Sequence, residues 1–257
     1  PRAAAKLVQK YTTVAAMLAT PSARFEYEVE AALQHVYRKN NAVASYEPIV
    51  GSGANACVLH YRANNAPIKK GDLLLCDAGA EYGFYASDIT RTWPTNGRFN
   101  KAQRELYDIV LAAQLECIGK AAVGVAYDVI HQAAVQVITD GLLSLGLLKG
   151  SLKKNIESAA YKKFYMHKTG HWIGLDVHDV GEYKLGGSSR LLEPGMVFTV
   201  EPGLYIAPGT PGVPDKYQGI GIRIEDDVLM TVKGPEVISD GVPKTVDAIE
   251  SLMASAR

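Results

Sequence analysis

Two aspartates, Asp77 and Asp88, flank a turn in LLLCDAGAEYGFYASDITRTW, where a sheet would press their charges together. LLLCDAG reads as one strand, EYGF as the turn and SDITRTW as the returning strand of a β-hairpin. A turn centred on Tyr82-Gly83 sets Asp77 directly opposite Asp88, with Cβ atoms about 5 Å apart. Like charges in that position destabilise a ladder. A cation belongs between them, and a metal ion is the simplest one.

The chain has 257 residues, 47% hydrophobic, with 27 acidic and 27 basic side chains. That is enough for a full core, in one large domain or two fused halves. Zero net charge gives no reason to expect nucleic acid or an anionic membrane as partner. No apolar run reaches the roughly 18 residues needed to span a bilayer, and no secretory signal opens the chain. The expected location is therefore cytoplasmic. Cys57, Cys76 and Cys117 are odd in number and widely spaced, which predicts buried thiols in a reducing compartment. The chain begins with Pro1 and is at once in helical periodicity, as if residues upstream had been lost.

Residues 3–18 and 25–39 have apolar positions at three- and four-residue intervals and predict two helices. A β-rich stretch follows from about Ser45 to Pro94, punctuated by GSGAN and KKGD turns, with His60 on a strand. Asn100 is an N-cap for a helix through Gly119. A second helix places Val129, Ile130, Ala133, Ala134, Val137, Ile138 and Leu142 on one face. From Lys168 to about Val232 come Gly- and His-rich loops and short strands, then a peripheral tail from Pro235 with a short helix. The order is helix, helix, hairpin, repeated once. In the second hairpin, MVFTVE and IRIEDD bring Glu201 near Glu225. Two such halves would bring their carboxylates together at the junction.

By two-residue alternation, Leu73, Leu75 and Asp77 share a face, as do Asp88, Thr90 and Thr92, and as do Arg223, Glu225 and Asp227. The apolar flanks mark these strands as buried, where four carboxylates are untenable without cations. Pairing to Arg223 and Arg91 is the alternative, and it could serve two of the four. Of six histidines, His167, His171 and His178 cluster in HKTGHWIGLDVHD, whereas His35 and His131 lie on helical patterns as ordinary surface or satisfied residues. Four carboxylates and one imidazole suit two divalent ions about 3.5–4 Å apart. Such a donor set favours manganese, iron or cobalt over structural zinc.

LCDAGAEYGFYASDITRTWP, GHWIGLDVHDVGEY, LEPGMVFTVEPGLYI and GIGIRIEDD together resemble the catalytic domain of the aminopeptidase P family, the Xaa-Pro aminopeptidases. These belong to the creatinase/methionine aminopeptidase superfamily. The resemblance implies an α+β pita-bread fold: two pseudo-symmetric α/β halves, a curved antiparallel sheet and outer helices. Residues 1–257 would form a single metallopeptidase catalytic domain, without the N-terminal domain usual in such relatives. The resemblance implies two divalent ions, manganese first, with cobalt, iron or zinc as options. Asp77 would bind one, Asp88 and Glu225 would bridge both, and His171 and Glu201 would complete the second. His60, His167 and His178 would line the substrate and proton-transfer side, with Arg223 and Tyr205 behind the ligands or on the substrate side.

The implied activity is hydrolysis of the N-terminal Xaa-Pro bond by a metal-bridged hydroxide, with peptides whose second residue is proline as partners. Glu201 would be general base as well as ligand, and His178 or His167 would stabilise the oxyanion. Tyr205, the histidines and Trp172 are candidate pocket walls, Trp172 equally a core residue. A proline dipeptidase, a non-catalytic peptide-binding module and a metal-free creatinase-like hydrolase are the alternatives. The oligomeric state stays open, a homodimer included.

Overall fold

Two hairpins, each preceded by a pair of helices, meet along one seam in the computed structural model, which describes residues 10–256. The first nine positions of the chain lie outside the described residues, so the first predicted helix is seen as α1 (Lys10–Ala19), packed on α2 (Glu26–Lys39). The first half continues with β1 (Val43–Ala44), β2 (Ile49–Ser52), β3 (Leu73–Ala78), β4 (Ala80–Glu81) and β5 (Ile89–Pro94). The second half opens with α3 (Lys101–Lys120), α4 (Asp128–Ser144) and α5 (Leu152–Glu157). Then follow β6 (Lys184–Leu185), β7 (Ser188–Ser189), β8 (Val197–Val200), β9 (Gly203–Ile206), β10 (Ile220–Arg223), β11 (Asp226–Thr231), β12 (Gly234–Val237) and α6 (Val246–Ala254). All strand pairs are antiparallel. A single large apolar cluster takes side chains from both halves, from Met17 and Trp93 to Phe198 and Met253. Among the described residues, no helix is long and apolar enough to cross a membrane.

Local chemistry explains the boundaries. Asn100 caps α3 as the sequence predicts: its side chain accepts from the Gln103 amide, and the Gln103 side chain accepts from the Asn100 amide. The first hairpin differs in register. β3 pairs Asp77 with Thr90, not with Asp88. The turn is centred on Gly83-Phe84, where Tyr82 bridges Tyr85 and both central residues have positive φ, +58° and +69°. That mirror-image turn matches strand twist, and it moves the centre one residue along. Asp88 therefore lies just before β5, diagonal to Asp77 and still on its face. Gly79 permits the crossing, since a Cβ there would lie 1.7 Å from the Ser87 carbonyl.

The second hairpin pairs Gly203 with Arg223 and Val200 with Asp226. Between these pairs the ladder is interrupted at Pro202, which has no N–H to give. Glu201 and Glu225 stand opposite each other in the gap. The two hairpins join where the Glu225 amide donates to the Thr90 carbonyl at 3.0 Å and the Arg223 amide to Thr92 Oγ1 at 3.2 Å.

Three further expectations need correction, and one element is new. His60 lies in a turn after a short 3-10 helix (Gly53–Cys57), because Gly53 at φ +57° ends β2. Helix α5 was not foreseen; Ser151 caps it by accepting from the Lys154 amide. The C-terminal tail is not peripheral: Val246, Ile249 and Met253 are buried, and Lys244 reaches into the core beside Asp226. Cys76 and Cys117 are buried thiols, but Cys57 is only half-buried.

Helix α2 also fixes the loop bearing His60. Glu26 is fully buried, and among the described residues no lysine or arginine pairs with it. Its carboxylate accepts from the Ser52 and Ala66 amides at 2.7 and 3.0 Å, from Asn55 Nδ2 at 3.0 Å and from Tyr61 Oη at 2.8 Å. Replacing Glu26 by Ala strands four donors, and urea unfolding should show a loss of about 3 kcal/mol. Removing the exposed Glu116, 3.2 Å from Lys120, should cost about 0.5 kcal/mol or less.

Candidate metal centre

Asp77 is the best neutralised of the four carboxylates. Arg223 Nη2 donates to its Oδ2 at 2.6 Å, and both side chains are buried. Burial alone would raise the Asp77 carboxyl, but Arg223 and the Tyr46 hydroxyl bring it below the usual carboxylate range. Tyr46 Oη lies 2.5 Å from Oδ1 of both Asp77 and Asp88, so one hydroxyl separates the two charges.

The other three have no arginine or lysine within ion-pair distance among the described residues. Asp88, opposite no partner in the ladder, is pushed well up by burial and by the charge of Asp77. Glu225 accepts from Thr90 Oγ1 at 2.6 Å and is pushed well up by burial, then by Asp88 and Glu201. Burial lifts Glu201 to about 7, although His171 and Arg223 oppose the rise. Arg91, the other expected partner, does not help. It is turned to the far side of the sheet, 2.7 Å from Asp226, where Lys244, Gln114 and Ser239 also bind that carboxylate. From there Arg91 Nη1 donates to the Glu225 and Thr90 carbonyls, clamping the two strands from behind.

His171 completes the set. Its Nδ1 is 3.0 Å from the Trp172 carbonyl, which can only accept, so Nδ1 carries a proton and Nε2 is the ring nitrogen left to face inward. Nε2 is 3.4 Å from Asp88 and 3.7 Å from Glu201. Gly170 lets this loop approach β8, because a Cβ there would meet the Thr199 carbonyl at 2.0 Å. Donor atoms of Asp88, His171 and Glu225 all lie within 4.8 Å of one another. Two buried carboxylates and a partly buried third, with no arginine or lysine in ion-pair distance among the described residues and beside an inward-facing imidazole nitrogen, fit divalent ions of the manganese, iron, cobalt or zinc kind.

The set opens on a cavity of about 700 Å³. Its wall includes Asp77, Asp88, Glu201, Arg223 and Glu225, and five of the six histidines: His60, His131, His167, His171 and His178. Tyr205, expected on that wall, is behind it. Arg223 Nη1 donates to its hydroxyl at 2.9 Å, and the hydroxyl lies 2.9 Å from His167 Nε2. His167 Nδ1 is 2.6 Å from the Lys168 carbonyl, so both ring nitrogens are engaged. The His178 ring meets His171 edge-on at 4.4 Å and has no hydrogen bond within the described residues. Trp172 is core: it stacks on Tyr183 at 5.3 Å, and Tyr183 and Tyr127 take the cavity side.

His131, read as an ordinary helical histidine, is on the cavity wall, with Nδ1 2.8 Å from Thr169 Oγ1. Its helical pattern gave no sign of a loop nearly forty residues later. Tyr46 was not singled out as a site residue. Asp227 shares the ligand side, as alternation predicts: its Oδ2 accepts from the Asp88 amide at 3.2 Å, and burial lifts it to about 7.

Residues 2–232 match metallopeptidase family M24. The Xaa-Pro aminopeptidase of Haemophilus influenzae is 48% identical over 241 residues, 93% of this chain and 56% of that protein. The Xaa-Pro aminopeptidase of Escherichia coli is 49% identical over 234 residues, 91% of this chain and 53% of its own. Aminopeptidase PepP of Pseudomonas aeruginosa superposes with a TM-score of 0.93 at 52% identity, over 98% of this chain and 59% of that one. Aminopeptidase P from E. coli with the inhibitor Pro-Leu gives 0.96 at 46% identity, over 100% and 58%. The chain spans about half the length of the curated relatives it matches. With nearly its whole described length matched in both sequence and fold, the chain belongs to metallopeptidase family M24 and has the α+β pita-bread architecture of the aminopeptidase P catalytic domains.

Proposed function

We propose that residues 1–257 act as one metal-dependent catalytic unit that removes the N-terminal residue of peptides whose second residue is proline. One observation carries this reading: Asp88 and Glu225 are buried and Glu201 is partly buried beside His171, with no arginine or lysine in ion-pair distance among the described residues, in a chain similar to Xaa-Pro aminopeptidases. Asp77, Asp88, His171, Glu201 and Glu225 would hold two divalent ions, manganese first. Bound ions would polarise the scissile carbonyl and acidify the attacking water so that it can be deprotonated at neutral pH.

The chain's own residues do the rest. Glu201 takes the proton from the attacking water and passes it to the leaving proline nitrogen. His178 gives an N–H to the developing oxyanion. It is preferred over His167, whose ring nitrogens are held by Lys168 and Tyr205. Asp77, Arg223, Tyr205 and His167 form one hydrogen-bonded chain that keeps Asp77 and the cavity wall in fixed orientation. A Xaa-Pro amide offers no N–H. Selection therefore falls to shape, from Tyr127, Ile130, Tyr183 and His60 around the pyrrolidine ring. Exposed Lys168 and Lys184 on the wall mark an opening for the downstream chain, which favours an aminopeptidase over a dipeptidase. Comparing a Xaa-Pro dipeptide with a Xaa-Pro-Xaa tripeptide tests this; cleavage of the dipeptide alone would overturn it.

Replacing Asp88 by Ala should release metal, by elemental analysis, and reduce kcat to background. His178→Ala should lower kcat about 100-fold with metal content unchanged. Metal-free protein should also respond to pH in a definite direction. Glu201 holds its proton to about 7 when folded but loses it near the usual carboxylate value when unfolded. Its stabilising contribution is thus complete at low pH and is lost as pH rises through about 7. The Tm of chelated protein should fall by on the order of 5–10 °C between pH 5 and 7.5, and added manganese should restore it.

A further inference from the structure

Residues 149–168 contain six lysines and a single acid, Glu157, which leaves 21 basic against 26 acidic residues in the remainder of a neutral chain. Lys149, Lys153, Lys154, Lys162, Lys163 and Lys168 are all exposed. Lys153 has Glu157 at 3.8 Å, an exposed pair worth little. Lys163 donates to the Pro211 carbonyl at 2.6 Å. The other four make no ion pair among the described residues. The charge is mounted on an ordered scaffold, not a loose loop. Asn155 Nδ2 donates to the Lys149 and Ser151 carbonyls at 2.9 Å each, and Tyr161 and Phe164 are buried.

The segment runs directly into the cavity wall, where Lys168, Thr169 and Gly170 follow one another. Burial, then the charges of Lys168 and Lys162, push His131 down to about 4, so both cations act at a cavity-facing ring. An aminopeptidase substrate places one residue upstream of the reacting bond and an indefinite length downstream. Only the downstream part can extend from the cavity onto α5 and the 3-10 turn at Ala160–Lys163.

We propose that α5, that turn and the approach to Lys168 form a docking strip for acidic peptide segments downstream of the scissile bond. The strip rests on the aminopeptidase reading for its substrate. Its own chemistry is attraction of several carboxylates to a cluster of exposed ammonium groups borne on ordered backbone, which raises encounter rate and fades with salt.

The experiment uses the full 257-residue protein and two heptapeptides with the same neutral C-terminal fluorophore, Ala-Pro-Gly-Asp-Glu-Asp-Glu and Ala-Pro-Gly-Ser-Gly-Ser-Gly. Binding is read by anisotropy on chelated protein, and kcat/KM by alanine release with manganese. The acidic peptide should bind, and react, about tenfold better at roughly 20 mM salt, with the difference gone near 0.5 M. Lys153→Glu, Lys154→Glu and Lys162→Glu combined should abolish the preference and leave kcat/KM for the neutral peptide unchanged. Equal binding of the two peptides, or a preference that survives the triple substitution, overturns the strip. Tighter binding of a twelve-residue oligothymidylate than of the acidic peptide overturns it too, in favour of a nucleic-acid surface. Salt-sensitive binding of the acidic peptide with no hydrolysis of either supports the strip and rejects the aminopeptidase reading instead.

Discussion

Like charge buried without a counter-ion is the constraint from which the rest follows. Moving a carboxylate out of water costs several kcal/mol even after relaxation, and neighbours of the same sign add to that cost. In this chain one arginine, Arg223, is spent on Asp77, while Asp88, Glu201 and Glu225 have no arginine or lysine within ion-pair distance among the described residues. A metal-free fold can survive this only by retaining protons on those groups. The same arrangement becomes favourable once divalent charge is supplied.

The sheet is built to impose that crowding. Asp88 and Thr90 come from one hairpin, Glu201 and Glu225 from the other, and one backbone and one side-chain hydrogen bond between Thr90 and Glu225 hold the two in contact. Behind them, Arg91 ties the Thr90 and Glu225 carbonyls to Asp226, Val242 and Pro243, so the C-terminal tail braces the site from the opposite face. Charges on the two faces are kept separate. Asp226 is satisfied by Arg91 and Lys244 and held below the usual carboxylate range, although burial opposes it, whereas its neighbour Asp227 is left high by burial.

Much of this was legible from residue order. Alternation placed Asp77, Asp88 and Thr90 on one face, and that parity survived the register shift because moving a turn centre by one residue slips each partner by two. The Asn100 cap, the paired helices and the Glu201–Glu225 juxtaposition were also readable, since each depends on local pattern or on a hairpin. What was hidden depends on tertiary approach. Arg91 could be counted as a cation, but nothing local says it points away from the ligands. His131 and Tyr46 reach the site by tertiary approach that no local pattern marks, and Tyr205 is withdrawn from the cavity by bonds to Arg223 and His167. Gly83-Phe84 was misjudged because a bulky residue at positive φ is uncommon.

The most direct measurement is anomalous scattering from crystals of the chain grown with manganese. Two peaks are predicted beside His171, with Asp88 and Glu225 shared between them and Asp77 and Glu201 on opposite sides. Density showing no ion there, with Asp88, Glu201 and Glu225 neutralised by arginine or lysine side chains, would contradict the account.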